Sequence, residues 1–149
     1  MNILKVFGWI TLFLFAGSLQ AKKIEIIDIR CENQECPMGV QTLKPTFSWK
    51  LLGDARNLTQ VGYRILVSDN EDLLKKDIGN IWDSGRCNSE ISINILFGGK
   101  KLLSTARYYW KVQVWDNQGV QSKWSEIKSF QMGLMKQEDW APARWIAME

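Results

Sequence analysis

The sequence predicts an all-β protein, an antiparallel sandwich of about seven short strands. Three observations lead to this prediction. Apolar and polar residues alternate in several short segments, as in strands that bury one face. Turn residues separate these segments roughly every 8 to 15 positions. No helical apolar stripe longer than about two turns competes with them. Two packed sheets are therefore the simplest fold.

The longest alternating segment predicts a central hairpin within Ala106–Trp124. The inward residues of its first strand are Tyr108, Trp110, Val112 and Val114, and the outward residues are Tyr109, Lys111, Gln113 and Trp115. A turn at Asp116–Gly119 leads to a second strand over Trp124–Met132. Tyr108 stands at the start of the long strand, where sandwiches place a tyrosine whose hydroxyl bonds to upstream backbone.

The other elements are assigned in chain order. The predicted strands are Ile24–Cys31 (with a bulge at Ile26–Ile27), Thr46–Leu51, Gln60–Ser68, Ile81–Gly85 and a strand containing Ile91, Ile93 and Ile95. We expect a loop over Glu32–Thr42 and one short helical turn within Asp69–Lys76. The predicted core consists of Phe47, Trp49, Leu51, Tyr63, Ile65, Val67, Ile91, Ile93, Ile95, Tyr108, Trp110, Val112, Val114 and Phe130.

Both ends of the chain differ from this body. Residues 1–21 have one Lys, an uncharged apolar run and small closing residues, which is the layout of a secretory signal peptide. The run is shorter than the roughly 20 residues that span a bilayer. We therefore expect export to a bacterial periplasm or beyond, with no membrane attachment after cleavage. The sandwich should occupy residues 22–134. Residues 135–149 are interpreted as a linker and the truncated start of a following β-domain, or alternatively as a tail that docks on its own domain.

Composition argues against several functions. The net charge is only +3 and is scattered, so no nucleic-acid partner is predicted. The sequence has no His, which removes His-based catalysis and His metal ligation. Its three Cys lack a fourth ligand at zinc-site spacing, and no cofactor or metal site is predicted. Cys31 and Cys36 could form a disulfide, or all three could be thiols.

The acidic residues do not suggest a catalytic pair, and no catalytic residue is predicted. Glu71, Asp72, Asp83, Asp116, Glu138 and Asp139 are the candidates. Adjacent carboxylates on a turn point in different directions, and an Asp before a turn typically bonds to its own backbone. We expect all of them to be solvated or to cap turns.

Five aromatic residues are candidates for an interface or for stacking on sugar rings: Tyr109, Trp115, Trp124, Trp140 and Trp145. Aromatic residues on an outer face can pack against a neighbouring domain or lie under Arg and Lys side chains. They can also be buried within the fold, or stack on a sugar. The sequence leaves these interpretations open.

An ordered set of segments resembles a known family. The segments are Pro45–Trp49, Gln60–Ser68, Ile81–Gly85, Tyr109–Val112, Trp115–Gly119 and Ser122–Ser125, with Cys31–Glu32 and Pro37–Val40 before them and Gly133–Leu134, Asp139–Trp140 and Arg144–Ile146 after them. Together they resemble the amino-terminal fibronectin type III-like domain of bacterial α-L-rhamnosidases, whose fold is an immunoglobulin-like sandwich.

The resemblance implies a structural and interface module of a secreted multidomain glycoside hydrolase. Such enzymes remove terminal α-L-rhamnose with inversion, which needs two carboxyl groups about 6.5 to 9.5 Å apart. In the family these belong to a downstream (α/α)6 catalytic barrel, so this chain alone should not turn over substrate. The implied partners are the downstream β-domain and that barrel, and possible ligands are rhamnosylated glycans. The alternatives are a free-standing carbohydrate-binding module or a fibronectin-like adhesion or linker module.

Overall fold

The computed structural model of the chain describes residues 24–53, 56–141 and 143. The predicted signal peptide (1–21) and Trp145 lie outside these residues. The strands are β1 Ile24–Cys31, β2 Met38–Val40, β3 Thr46–Gly53, β4 Gln60–Ser68, β5 Trp82–Asp83, β6 Ile95–Leu96, β7 Arg107–Asp116 and β8 Lys128–Met132. A short helix, α1, covers Glu71–Lys75, and a 3₁₀ helix covers Gln137–Trp140. Within the described residues, no helix is long and apolar enough to cross a membrane.

The strands form two sheets, which confirms the predicted β-sandwich. The smaller sheet has the order β1-β3-β6, and the larger has the order β2-β8-β7-β4-β5. All pairings are antiparallel except that of β2 with β8. The Glu32–Thr42 loop prediction is therefore wrong for Met38–Val40. That short segment shows no alternation, and it forms a strand because β8 offers it an edge.

The core between the sheets is largely the predicted one. Its centre is Phe47, whose ring lies 4.5 Å from that of Trp110 and 5.9 Å from that of Phe130. The predicted core residues that are buried are Phe47, Trp49, Ile65, Val67, Tyr108, Trp110, Val112, Val114 and Phe130. Leu51, Tyr63 and Ile95 are half-buried and pack against them. The sandwich is thus held mainly by aromatic and β-branched side chains that bury their apolar surface.

The predicted strand through Ile91 and Ile93 is wrong. These side chains are 58% and 62% exposed, and only Ile95 and Leu96 form a strand. Asn94 has a φ of 54°, which interrupts an extended strand. The carbonyl of Ile91 accepts a bond from the Gln60 side-chain amide instead of a strand partner. The alternation of Ile with polar residues here comes from an irregular segment, not from a sheet.

The outer face of β7 is less exposed than the alternation predicts. Lys111 and Gln113 are only 4% and 6% exposed. Helix α1 covers Lys111, while Gln113 bonds to the Ser122 carbonyl and to Gln121. β7 is therefore buried on both faces. The outer face is buried because α1 and the residues after the hairpin turn pack on it, and the alternation of residues within β7 does not indicate this packing.

Three boundaries also differ from the sequence predictions. The predicted strand Ile81–Gly85 is only Trp82–Asp83, because the chain leaves the extended conformation at Gly85. The bulge of β1 lies between Ile27 and Arg30, not at Ile26–Ile27, and Asp28 takes a φ of 48° there. The second arm of the hairpin begins as a strand at Lys128, not at Trp124. The helical turn is confirmed as α1, with Asn70 as its N-cap.

The tyrosine corner is confirmed. Tyr108 is buried, and its hydroxyl accepts a 2.9 Å hydrogen bond from the backbone N–H of Leu103. This bond fixes the loop before β7 to the strand itself. The same loop carries the exposed side chain of Leu103.

Candidate functional site

Trp124 lies on the outer face of the larger sheet, beneath two cations. The Lys111 ammonium is 4.6 Å from the ring centroid, and the Arg64 guanidinium carbon is 5.9 Å from it. Arg64 is itself held by Asp83 through two hydrogen bonds of 2.9 and 2.6 Å. Cations at such distances are attracted to the electron-rich ring face. Trp124, half-buried, thus forms the centre of a cation–aromatic stack.

The Lys111 end of this stack is buried. Its ammonium donates hydrogen bonds to the Leu74 carbonyl at the end of α1 and to the Asp77 carboxylate. A buried charge is tolerated only when it is paired and hydrogen-bonded. The stack therefore also fastens α1 to the outer face of the sheet.

Trp115 is covered in the same way at the other end of β7. The guanidinium carbon of Arg86 lies 4.9 Å from its ring centroid. Across the strand pair Trp115 faces Gly62, and a Cβ built on Gly62 would lie 3.1 Å from the Cys87 carbonyl oxygen. The glycine thus leaves room for the backbone that carries Arg86. Both tryptophans lie under basic side chains, one of the arrangements considered from the sequence.

The other candidate aromatics lie apart. Tyr109 is half-buried, in register with Ser68 on β4 and Ser129 on β8. Trp140 ends the 3₁₀ helix and is 52% exposed, at the end of the sandwich. The structure therefore does not bring the candidates together in one site.

A groove of about 660 Å³ runs between β1 and residues 120–126. Trp124 contributes to its wall, together with Ile24 and Ile29 on one side and Val120 on the other. The lining also includes Glu25, Asp28, Glu126 and Lys123. Asp28 is paired with Arg30 and Lys50, and Glu126 with Lys128, so the rim carries both signs of charge. Trp124 is the candidate aromatic residue that lines the groove.

The carboxylates are engaged in capping and ion pairing. Asp116 is buried, and its Oδ1 accepts hydrogen bonds from the N–H groups of Gln118 and Val120. Asp83 accepts a bond from the N–H of Gly85, and the hydrogen bond from Arg64 lowers the pKa of Asp83. The predicted turn-capping role is confirmed for both. Within the part of the chain that the structure describes, no group of three or more His, Cys, Asp or Glu side chains could hold a metal ion.

The structure has free thiols at Cys31, Cys36 and Cys87. Cys31 is fully buried, and burial raises its pKa, so it behaves as a small apolar side chain. Cys36 is exposed and Cys87 half-buried. The thiol alternative of the sequence analysis is the one that the structure contains.

Asp139 ties the residues after β8 back to the sandwich. Its Oδ2 accepts hydrogen bonds from Ser104 Oγ at 2.5 Å, Met135 N at 3.0 Å and Lys136 N at 2.8 Å. The hydrogen bond from Ser104 is the main reason why the pKa of Asp139 is lowered. Met135 packs against the core. This part of the predicted linker is docked on the domain. The sequence feature that indicates this docking is Asp139 at the third position of a helical turn, a typical capping position.

The fold defines the class of protein: an immunoglobulin-like sandwich module. The chain belongs to a particular family of such modules, the Rha78A-like, N-terminal immunoglobulin domains, whose family model matches residues 26–136. This confirms the resemblance drawn from the sequence.

Known relatives are much longer proteins. An α-L-rhamnosidase of Formosa agariphila is 37% identical over 112 residues, which cover 75% of this chain and 12% of that protein. The structure of the α-L-rhamnosidase from Dictyoglumus thermophilum superposes with a TM-score of 0.76 at 35% identity, covering 78% of this chain and 13% of that one. The Streptomyces avermitilis α-L-rhamnosidase complexed with L-rhamnose gives a TM-score of 0.75 at 29% identity, covering 79% and 11%. This chain therefore spans about 12% of the length of the curated relatives it matches.

Proposed function

We propose that this chain is the non-catalytic amino-terminal structural module of an exported α-L-rhamnosidase-like glycoside hydrolase. The observation that carries the proposal is the family match over residues 26–136, combined with α-L-rhamnosidase relatives of which the matched region is only 12%. The parent enzyme would remove terminal α-L-rhamnose from glycans with inversion. Its acid and base would lie in a downstream catalytic domain.

The arrangement of the described carboxylates favours a structural, non-catalytic role for this module. Inverting hydrolysis needs a free carboxylic acid and a carboxylate on opposite sides of a bound sugar. Here Asp83 is paired with Arg64, and Asp116 and Asp139 cap backbone N–H groups. These groups serve the stability of the sandwich.

The first experiment is to read the natural gene beyond the codon for Glu149. A reading frame that continues into further domains, with a product that releases L-rhamnose from a p-nitrophenyl α-L-rhamnoside, is the expected result. The 149-residue chain alone should release none. Rhamnose release by this chain alone, or a longer product that cleaves other glycosides and not rhamnosides, would contradict the proposal.

Sugar binding by the module itself is a separate question, and titration tests it. We expect no saturable binding of L-rhamnose or rhamnosylated oligosaccharides, because Trp115 and Trp124 already lie under cationic side chains. Isothermal titration calorimetry on the chain and on Trp124→Ala checks this. Saturable binding that is lost in Trp124→Ala would instead favour a carbohydrate-binding module and would place the ligand in the groove beside β1.

Export forms part of the proposal and has its own test. Residues 1–21 have the layout of a signal peptide. Mass spectrometry of the mature protein from its natural host should find a chain that begins after Ser18 or after Ala21. A mature protein that retains Met1 or Asn2 in the cytoplasm would contradict export.

A further inference from the structure

Four exposed apolar side chains lie at the end of the sandwich where residues 133–143 leave β8. They are Leu43 (47% exposed), Leu96 (61%), Leu103 (63%) and Trp140 (52%). We call this group the exit-end surface. Leu43 belongs to it because it follows β2, whose Val40 carbonyl accepts a 2.8 Å hydrogen bond from the Gly133 N–H. Leu96 belongs to it because it pairs with Thr46, three residues after Leu43. Single exposed apolar residues are normal, but several at one end of a domain indicate a contact surface.

The backbone of the exit-end surface is fixed at several points. The tyrosine corner holds Leu103 through its N–H. The N–H of Thr105 donates to the Gly133 carbonyl at 3.2 Å, which joins the loop before β7 to the residues after β8. Leu103 is therefore fixed by its own hydrogen bond to Tyr108 and by the bond of Thr105, two residues later. A surface that is ordered before binding loses less conformational entropy when a partner docks.

Asp139 places Trp140 on the same surface. Its three hydrogen bonds, from Ser104 Oγ and from the N–H groups of Met135 and Lys136, anchor the 3₁₀ helix beside Leu103 and Ser104. Trp140 follows directly, half-exposed. The chain therefore leaves the sandwich in a defined direction, with an apolar side chain at the exit.

We propose that the exit-end surface is the docking face for the domain that follows in the same polypeptide. This inference rests on the proposed function and deepens it by locating the contact. The relatives continue far beyond the matched region, since the match covers only 12% of their length. A chain reaches at most about 3.6 Å per residue, so a domain that starts within about ten residues of Ala143 lies within roughly 36 Å of this surface. The residues that lead to that domain leave from the surface itself.

The other candidate surfaces fit this partner less well. Trp115 and Trp124 are occupied by Arg86, Arg64 and Lys111 of the module itself. Ile91 and Leu52 are 58% and 54% exposed, but they lie toward the other end of the sandwich. The Ile91 carbonyl accepts a hydrogen bond from Gln60 at the start of β4, and Leu52 lies near the end of β3, opposite Glu25 at the start of β1. The following domain meets the exit-end surface first.

Cysteine labelling tests the proposal. Leu103→Cys places a thiol on the exit-end surface, and Leu52→Cys, near the far end of β3, is the matched control, because the native side chains are 63% and 54% exposed. Each substitution is made in this chain and in the longer natural gene product. Maleimide modification of each site is followed by peptide mass spectrometry. We expect the longer chain to slow the labelling of Leu103→Cys by at least about tenfold, while Leu52→Cys reacts at equal rates in both.

Several outcomes would overturn the inference. They are equal labelling of Leu103→Cys in the two chains, protection of Leu52→Cys alone, and a natural reading frame that stops at Glu149. Protection in the short chain that grows with its concentration would assign the surface to a second copy. Protection in the short chain by added rhamnosylated oligosaccharide would assign it to sugar. Rhamnosidase activity of the longer chain is measured separately, so failure of docking and failure of the enzyme assignment are distinguishable.

Discussion

At the scale of single residues, the Tyr108 hydroxyl has the clearest consequence. It accepts a hydrogen bond from the Leu103 N–H. Leu103 lies in the loop before β7, outside the strands, so this N–H takes part in no strand pairing. In Tyr108→Phe the ring still fills the core, but the N–H loses its partner. Losing a part-buried hydrogen bond of this kind costs about 0.5 to 1.5 kcal/mol. Urea denaturation should show that loss of unfolding free energy.

Tyr109→Phe is the matched control for this prediction. Tyr109 is the next residue on the same strand, and its hydroxyl has no hydrogen bond to any residue that the structure describes. Its loss should change the unfolding free energy by less than about 0.5 kcal/mol. Equal losses in the two variants would show that the corner bond contributes nothing of its own.

Asp139 predicts a pH dependence of the docked tail. Hydrogen bonds from Ser104 and from the Lys136 N–H lower the pKa of Asp139 below its ordinary value of 3.8. A group whose pKa is lowered on folding stabilises the folded form above its unfolded pKa, and that contribution disappears as the pH falls through the folded pKa. The tail should therefore stay docked at neutral pH and be released only in acid, below pH 3.8.

An NMR titration of the Lys136 amide measures this release. The midpoint in the native chain should lie below 3.8, and Ser104→Ala, which removes the hydrogen bond that lowers the pKa most, should move it upward. Glu25→Gln, a change of an exposed carboxylate at the start of β1, is the control and should leave the midpoint unchanged. A midpoint at or above 3.8 in the native chain would contradict the clamp.

At the scale of elements, two serines replace strand pairing at the edge of β7. Ser122 Oγ accepts a hydrogen bond from the Val114 N–H, and Ser125 Oγ accepts one from the Val112 N–H, each at 3.1 Å. Their own N–H groups return bonds to the carbonyls of the same two valines. Residues 121–127 thus satisfy β7 without forming a regular strand.

Removing either hydroxyl should weaken this edge. Ser122→Ala or Ser125→Ala leaves a strand N–H without its acceptor, and we expect a loss of about 1 to 3 kcal/mol each. Ser129→Ala, on the regular strand β8, should be within about 0.5 kcal/mol of the native chain. Thermal or urea unfolding measures all three. A control as costly as the other two variants would exclude a specific role for the hydroxyls.

The adjacent glycines of the loop after β6 should differ sharply in their tolerance of a side chain. A Cβ on Gly99 would lie 2.5 Å from Trp82 Cβ and 2.6 Å from the Ile81 carbonyl oxygen. On Gly98 the nearest atom is a Trp82 ring carbon at 3.4 Å, an ordinary contact. Gly99→Ala should therefore cost about 1 to 3 kcal/mol by overpacking, whereas Gly98→Ala should be close to neutral. Urea unfolding of the two variants gives the comparison, and similar losses would contradict it.

The elements also show what the sequence can and cannot predict. Tyr108 was predictable because the corner depends on its position at the start of a long alternating strand. Ile91 and Ile93 alternate just as cleanly, yet they are exposed, because Asn94 and the Gln60 amide hold that segment out of the sheet. The alternation of β7 was correct, but not the exposure of Lys111. Alternation assigns faces, and only tertiary contacts decide whether the outer face is covered.

The cation–aromatic stack on Trp124 could not be predicted from the sequence. It joins residues of β4, β7 and the segment after the hairpin turn, and no local sequence pattern relates these three segments.

At the scale of the whole molecule, covered and uncovered aromatic and apolar side chains are separated. On the outer face of the larger sheet, Arg and Lys side chains cover Trp115 and Trp124, while Leu103 and Trp140 at the exit end are uncovered. A module built in this way keeps apolar side chains at that end free for contact. Its contribution to an enzyme would be to stability, not to the chemical step.

This separation predicts which variants of the longer natural protein should lose stability. Leu103→Asp places a charge on the exit-end surface, and burying an unpaired charge against an apolar partner is costly. The temperature of half-inactivation of rhamnosidase activity should therefore fall by a few degrees, as expected for a loss of about 1 to 3 kcal/mol in a large domain. Leu52→Asp, 54% exposed in this module but near the far end of β3, should leave that temperature within about one degree of the native value. Before heating, kcat/KM should be the same for both variants and the native enzyme, because neither side chain approaches a reacting sugar. A fall in kcat/KM without any change in heat stability would place Leu103 at a substrate site and would contradict a structural role for this end of the module.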